Sequence, residues 1–153
     1  MAITKVTRHN TPAFEARLTS DESLTDDTST KLDVDAEIYD TDGCYDNSTN
    51  YRFTPDVAGK YFVYGAVYYQ PSASNTMNSF STQLKKNGST LKVTYLSSSS
   101  SPMGAGDIPQ CAIVDMNGSS DYLELYAFAA FSTGTMLAKG RIDTFFGAFR
   151  LII

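Results

Sequence analysis

Asn87-Gly88 lies between two segments of alternating polarity, and no other feature constrains the fold of this chain as tightly. Asn-Gly favours the type I′ turn, whose two central residues both take positive φ, and that turn joins antiparallel strands. Folding about it places Lys86 opposite Ser89, Leu84 opposite Leu91, Thr82 opposite Val93 and Phe80 opposite Tyr95 on one face. Lys85 with Thr90, Gln83 with Lys92 and Ser81 with Thr94 share the other. One face is largely apolar and the other polar, which specifies a register. The expectation is a hairpin with its apolar face on a core and its polar face in water.

The same two-residue alternation recurs between turn signals along the chain, and long helical periodicity is absent, so the fold class is all-β. Ten Tyr and nine Phe support this, since aromatic residues are enriched in strands. A length of 153 residues suggests one domain. A second hairpin is expected at Asn117-Gly118-Ser119-Ser120, pairing Val114 with Leu123 and Ala112 with Leu125.

Segments 61–69 and 122–131 carry apolar or aromatic residues on both faces. A strand of this kind is covered on both sides. In a two-sheet sandwich the inner face fills the core, and the outer face is covered either by loops or by another subunit. The second reading assigns Tyr61, Val63, Tyr64, Tyr68, Tyr122, Tyr126, Phe128 and Phe149 to a subunit interface.

Charge is unevenly spread. Residues 1–46 hold eleven acids against four bases, and 47–153 hold six acids against eight bases, for a net of −5. That balance argues against a nucleic-acid partner, which needs a basic footprint. Within the acidic segment, Asp33 and Asp35, and Asp40 and Asp42 before Gly43, form pairs two apart, weak candidates for a structural calcium. No full D-x-D-x-D-G loop with a distal Glu is present. The competing reading makes these acids solvated turns, and no cofactor is expected.

Catalytic signatures are missing. G-x-S-x-G, G-x-x-x-x-G-K-[ST] and H-E-x-x-H do not occur, and His9 is the only histidine. Enzyme activity is therefore not expected. Cys44 and Cys111 are either one disulfide or two free thiols. No apolar run reaches the roughly 18 residues of a membrane span, so no membrane insertion is expected. The segment 1–12 lacks a signal-peptide pattern and a strand pattern. It reads as a terminal segment, ordered only where a neighbour ties it down, ahead of a domain at 13–153. The polar stretches 70–78 and 96–107 read as long loops, either mobile tips or binding loops.

The block Tyr45-Asp46-Asn47-Ser48-Thr49-Asn50-Tyr51-Arg52-Phe53-Thr54-Pro55-Asp56-Val57-Ala58-Gly59-Lys60-Tyr61 resembles the signature of the complement C-one-q globular domain, Y-D-x-x-T-G-x-F-x-x-P-x-x-G-x-Y-x-F. Tyr45, Asp46, Thr49, Phe53, Pro55, Gly59 and Tyr61 match; one residue is inserted before Phe53, and Asn50 stands where Gly is usual. Lys86-Asn87-Gly88, Asp121-Tyr122-Leu123-Glu124-Leu125 and Phe145-Phe146-Gly147-Ala148-Phe149-Arg150-Leu151 are similar to later motifs of that family, in the same order. The resemblance implies an antiparallel ten-stranded jelly-roll sandwich, like tumour necrosis factor, assembling as a homotrimer without an active site. Phe14-Glu15-Ala16-Arg17-Leu18 and the 45–55 block also resemble structural proteins of tailed bacteriophages. That second resemblance implies a capsid decoration, knob or short fibre tip on the virion surface, assembled in the host cytoplasm. It also implies that 1–12 is an attachment arm to other virion proteins, with Ile3, Val6 and Arg8 as its contact residues. The alternative is a tail-fibre adhesin that binds a host-surface glycan or protein through 70–78 and 96–107.

Overall fold

The computed structural model describes residues 11–72, 76–98, 101, 103–140 and 142–152. Thirteen strands and no helix occur among them, arranged as two antiparallel sheets packed face to face. The arm residues Ile3, Val6 and Arg8 lie outside the described residues.

The first sheet is built on β7 (Gly59–Pro71), its longest strand. One side of β7 pairs with β10 (Gly106–Met116) along eleven residues. The other side is shared by β13 (Phe145–Arg150) and β12 (Met136–Ala138). Beyond them lie β1 (Ala13–Arg17) on β13 and β2 (Glu22–Leu24) on β12, with β4 (Ala36–Asp40) at the edge on β1. The second sheet runs β5 (Tyr45–Asp46), β6 (Arg52–Phe53), β11 (Leu123–Phe131), β8 (Met77–Lys86), β9 (Ser89–Ser97), with β3 (Thr28–Lys31) also on β11. Thirteen segments stand where ten strands were expected. Part of the difference is that β12 and β13 lie end to end along one side of β7.

Alternation puts Tyr61, Val63, Val67 and Tyr69 of β7 on the inner face, each without solvent exposure. This corrects the assignment of Tyr61 and Val63 to a subunit interface: both are core residues. A strand apolar on both faces does not reveal from its own sequence which set of alternate residues points inward. Here the second sheet decides it. Tyr69 crosses the core to donate from its hydroxyl to the Ser81 carbonyl at 2.7 Å. Tyr61 packs edge-on to Phe53, and Phe53 stacks on Phe14 at 4.5 Å. Phe14 also stacks on Tyr45 at 4.5 Å and meets Phe146 edge-on. β1, β13 and the signature block thus converge on one aromatic cluster.

The Asn87-Gly88 turn forms as expected, with φ of 52° and 76°. Lys86 faces Ser89 and Lys85 faces Thr90, but a bulge beyond that point shifts the register. Leu84 pairs with Lys92, not Leu91, and Phe80 pairs with Leu96, not Tyr95. One extra residue in a strand reverses every later side chain. Val93 and Tyr95 therefore turn to the outer face, opposite Gln83 and Ser81.

The second expected hairpin does not exist. β10 pairs with β7 in the first sheet, while β11 pairs with β8 in the second, so 117–122 is a crossing between sheets. Asn117 holds this corner: its Oδ1 accepts from the amides of Ser119, Ser120 and Asp121 at 2.9–3.0 Å. Turn chemistry says that the chain bends; it does not say whether the bend stays within one sheet.

Candidate functional interface

The acidic segment came first as a candidate site, and two of its four candidate carboxylates, Asp35 and Asp40, accept from backbone amides. Asp40 accepts from the amides of Asp42, Gly43 and Tyr45. Asp35 accepts from the Thr19 amide and hydroxyl. Asp33 presents its amide to Glu22 Oε1 at 2.8 Å. Burial beside Asp33 and Asp35 pushes the Glu22 carboxyl up to about 7. Among the described residues no three His, Cys, Asp or Glu side chains converge as a metal site. Cys44 and Cys111 are two free thiols. Cys44 is half-buried next to Asp56, and burial raises its thiol to about 11.

The signature block is equally structural. Asp46 gathers the amides of Ser48, Thr49 and Asn50 and the Asn50 side chain. Those bonds hold its carboxyl well below the usual range. Tyr45 donates to the Val34 carbonyl at 2.7 Å in the core. Within the block Tyr51 takes φ of 45°, and it stands between Thr49 and Phe53.

What remains unpaired is the outer face of the first sheet. Register places Ile113, Phe62 and Phe149 side by side across β10, β7 and β13. The next row is Cys111, Tyr64, Gly147 and Glu15, and the one after it brings Phe145 and Arg17. Phe62 and Phe149 are 5.3 Å apart between ring centroids, and Tyr64 lies 6.2 Å from Phe145. Tyr64 lies flat over Gly147, where a Cβ would stand 2.5 Å from the ring, and so reaches across β13 to donate to Glu15 at 2.8 Å. Burial, and the bonds to Tyr39 and Glu15, drive the Tyr64 hydroxyl well above its ordinary range. Ile113 is 61% exposed and Phe149 40%, at the top of a band of large apolar side chains that the other described residues leave open.

A second exposed apolar surface lies along β9. It is the last strand of its sheet, with Tyr95 55% exposed on the outer face and Leu96 49% exposed on the other, so both sides of the edge are apolar. Exposed edge strands of this length are normally blunted by charge, yet Lys92 is the only charged residue in β9.

The eight residues expected at one interface separate into distinct places. Tyr64, Tyr68 and Phe149 share the outer face of the first sheet. Tyr126 and Phe128 lie on the opposite face of the sandwich, with the Lys85 ammonium 3.6 Å over the Tyr126 ring and Tyr95 beside Phe128. Tyr122 stands under the Arg52 guanidinium. Sequence reasoning missed Phe62 and Ile113. Both could have been found by continuing the alternation from Tyr64 and pairing β10 with β7.

No family model matches the chain, and no curated protein matches it. Solved structures do. Eiger, a TNF of S. frugiperda, matches at 17% identity with a TM-score of 0.60, covering 93% of this chain and 92% of that one. Murine APRIL matches at 12% identity and 0.65, covering 93% and 100%. The globular domain of zebrafish complement 1qA protein matches at 15% identity and 0.62, covering 94% and 98%. These likenesses establish a jelly roll of the type shared by tumour necrosis factors and C-one-q domains.

Proposed function

We propose that this chain is a non-enzymatic structural domain that works as a homotrimer, each copy laying its β9 edge on the outer aromatic face of its neighbour's first sheet. The observation that carries this reading is the outer aromatic band, in which Ile113 and Phe149 are exposed and Phe62, Tyr64 and Phe145 are half-buried beside them. A second, different apolar surface on the same molecule is its natural complement. Contact between two unlike surfaces is heterologous and closes into a ring when its rotation permits. Three copies is the number implied by the C-one-q resemblance. Burial of this face stabilises the ring by roughly 25 cal/mol per Å².

The setting we propose is the surface of a tailed-phage particle, supported by the resemblance of 14–18 and 45–55 to virion structural proteins. The attachment segment is shorter than 1–12, because the Pro12 carbonyl accepts from the Arg150 amide and the Thr11 carbonyl from Thr41. Residues 1–10 are the part that would meet other virion proteins.

Solution mass by light scattering tests the reading. A mass of three subunits is expected, and Ile113→Asp is expected to give folded monomers with unchanged far-ultraviolet circular dichroism. Removing 1–10 should leave the trimer intact and abolish its retention on particles. A wild-type monomer at all concentrations would overturn the trimer, and full retention without 1–10 would overturn the anchoring role.

A further inference from the structure

Each of the two apolar surfaces carries a charge that forms no ion pair among the described residues. Glu15 stands within the aromatic face, in the row of Tyr64 and Gly147. Tyr64 donates to its Oε2, and none of the ion pairs among the described residues includes Glu15. Arg17, two residues along β1, lies in the next row without pairing to it. On the other surface, Lys92 is exposed and likewise belongs to no ion pair among the described residues. Other lysines of these sheets are engaged: Lys60 with Asp115, Lys86 with Asp121, and Lys31 with Glu124.

Burying a carboxylate against apolar side chains without a countercharge is strongly unfavourable. Cover of this face is favoured when the neighbour brings a further cation to Glu15, and β9 has one. Resting on the trimer reading above, we propose that Glu15 of one copy pairs with Lys92 of the next. The pair fixes the register of edge on face, and the second copy of this chain is the occupant of the aromatic band. The aromatic contacts supply affinity with little preference for position along the strand. A single ion pair selects one alignment and penalises the others.

Charge exchange tests this. Trimer dissociation is measured by sedimentation equilibrium at low salt for wild type, Glu15→Lys, Lys92→Glu and the double variant. Each single reversal is expected to weaken the trimer by at least about tenfold, and the double variant to return to within about threefold of wild type. Losses that add in the double variant, or no loss with Lys92→Glu, would overturn the pairing while leaving the trimer standing. A wild type that does not trimerise would overturn both. If Glu15→Lys fails to fold, Lys92→Glu still decides, because Lys92 is exposed on an edge strand.

Discussion

At the scale of single residues, two carboxylates of the acidic segment respond to pH in opposite directions. Burial raises Glu22 from 4.5 to about 7 in the folded chain. A raised carboxyl penalises the folded state whenever it must ionise, so stability falls as pH rises from about 4.5 through about 7. Melting curves between pH 4.5 and 8 should show this loss in wild type and its absence in Glu22→Gln, which keeps an oxygen for the Asp33 amide. Equal pH slopes for the two proteins would refute the assignment. Asp46 behaves the other way. Its carboxyl is held down by the Thr49 amide, the Asn50 side chain and the Ser48 amide. Its contribution is complete above the unfolded value of 3.8 and is lost as pH falls below it. Asp46→Ala should lower the melting temperature at pH 6 and flatten the acid limb of the stability curve. Among core residues, Tyr45→Phe strands the Val34 carbonyl, at a cost of about 1–3 kcal/mol in urea unfolding.

At the scale of elements, two glycines at corresponding Asn-Gly turns have unequal roles. Gly88 takes φ of 76° with only the Tyr122 hydroxyl near its missing Cβ, at 3.8 Å. Gly88→Ala should therefore cost the backbone strain alone, about 1–2 kcal/mol. Gly118 takes φ of 69°, but a Cβ there would stand 2.3 Å from the Ala58 amide nitrogen. Gly118→Ala should cost clearly more, since backbone must move to admit it. Urea midpoints of the two variants compare them directly, and equal costs would mean that the 117–122 corner yields to a methyl group without loss. The difference follows from what each turn does: one closes a hairpin in open solvent, the other seats a sheet-to-sheet crossing against the 57–58 segment.

At the scale of the whole molecule, an assembly held by subunit contacts has a melting temperature that depends on concentration. Wild type should melt lower on dilution through the dissociation range, and Ile113→Asp should melt at one temperature regardless of concentration. Differential scanning calorimetry at several concentrations reads both. A concentration-independent wild type would mean that the aromatic band is covered by something other than a second copy. The geometry also limits what one subunit contact could bury. Tyr126 and Phe128 lie on the far side of the sandwich from Tyr64 and Phe149, so one flat contact does not use all four.

Strand content, the type I′ turn at Asn87-Gly88 and the all-β class were legible in the sequence, because period-two alternation and positive-φ turn residues are local properties of a chain. The jelly-roll resemblance was legible too, since Tyr45, Phe53 and Tyr61 are spaced to meet in one aromatic cluster. Tertiary structure alone decided three matters. It chose which alternate residues of β7 face inward, placing Tyr61 in the core and Phe62 outside. It turned Val93 and Tyr95 outward through a bulge that no residue type announces. It sent 117–122 across the sandwich and so brought Ile113 beside Phe62. Each depends on long-range pairing, in which a strand's partner and phase are set by the surface it buries against and not by its own order of residues.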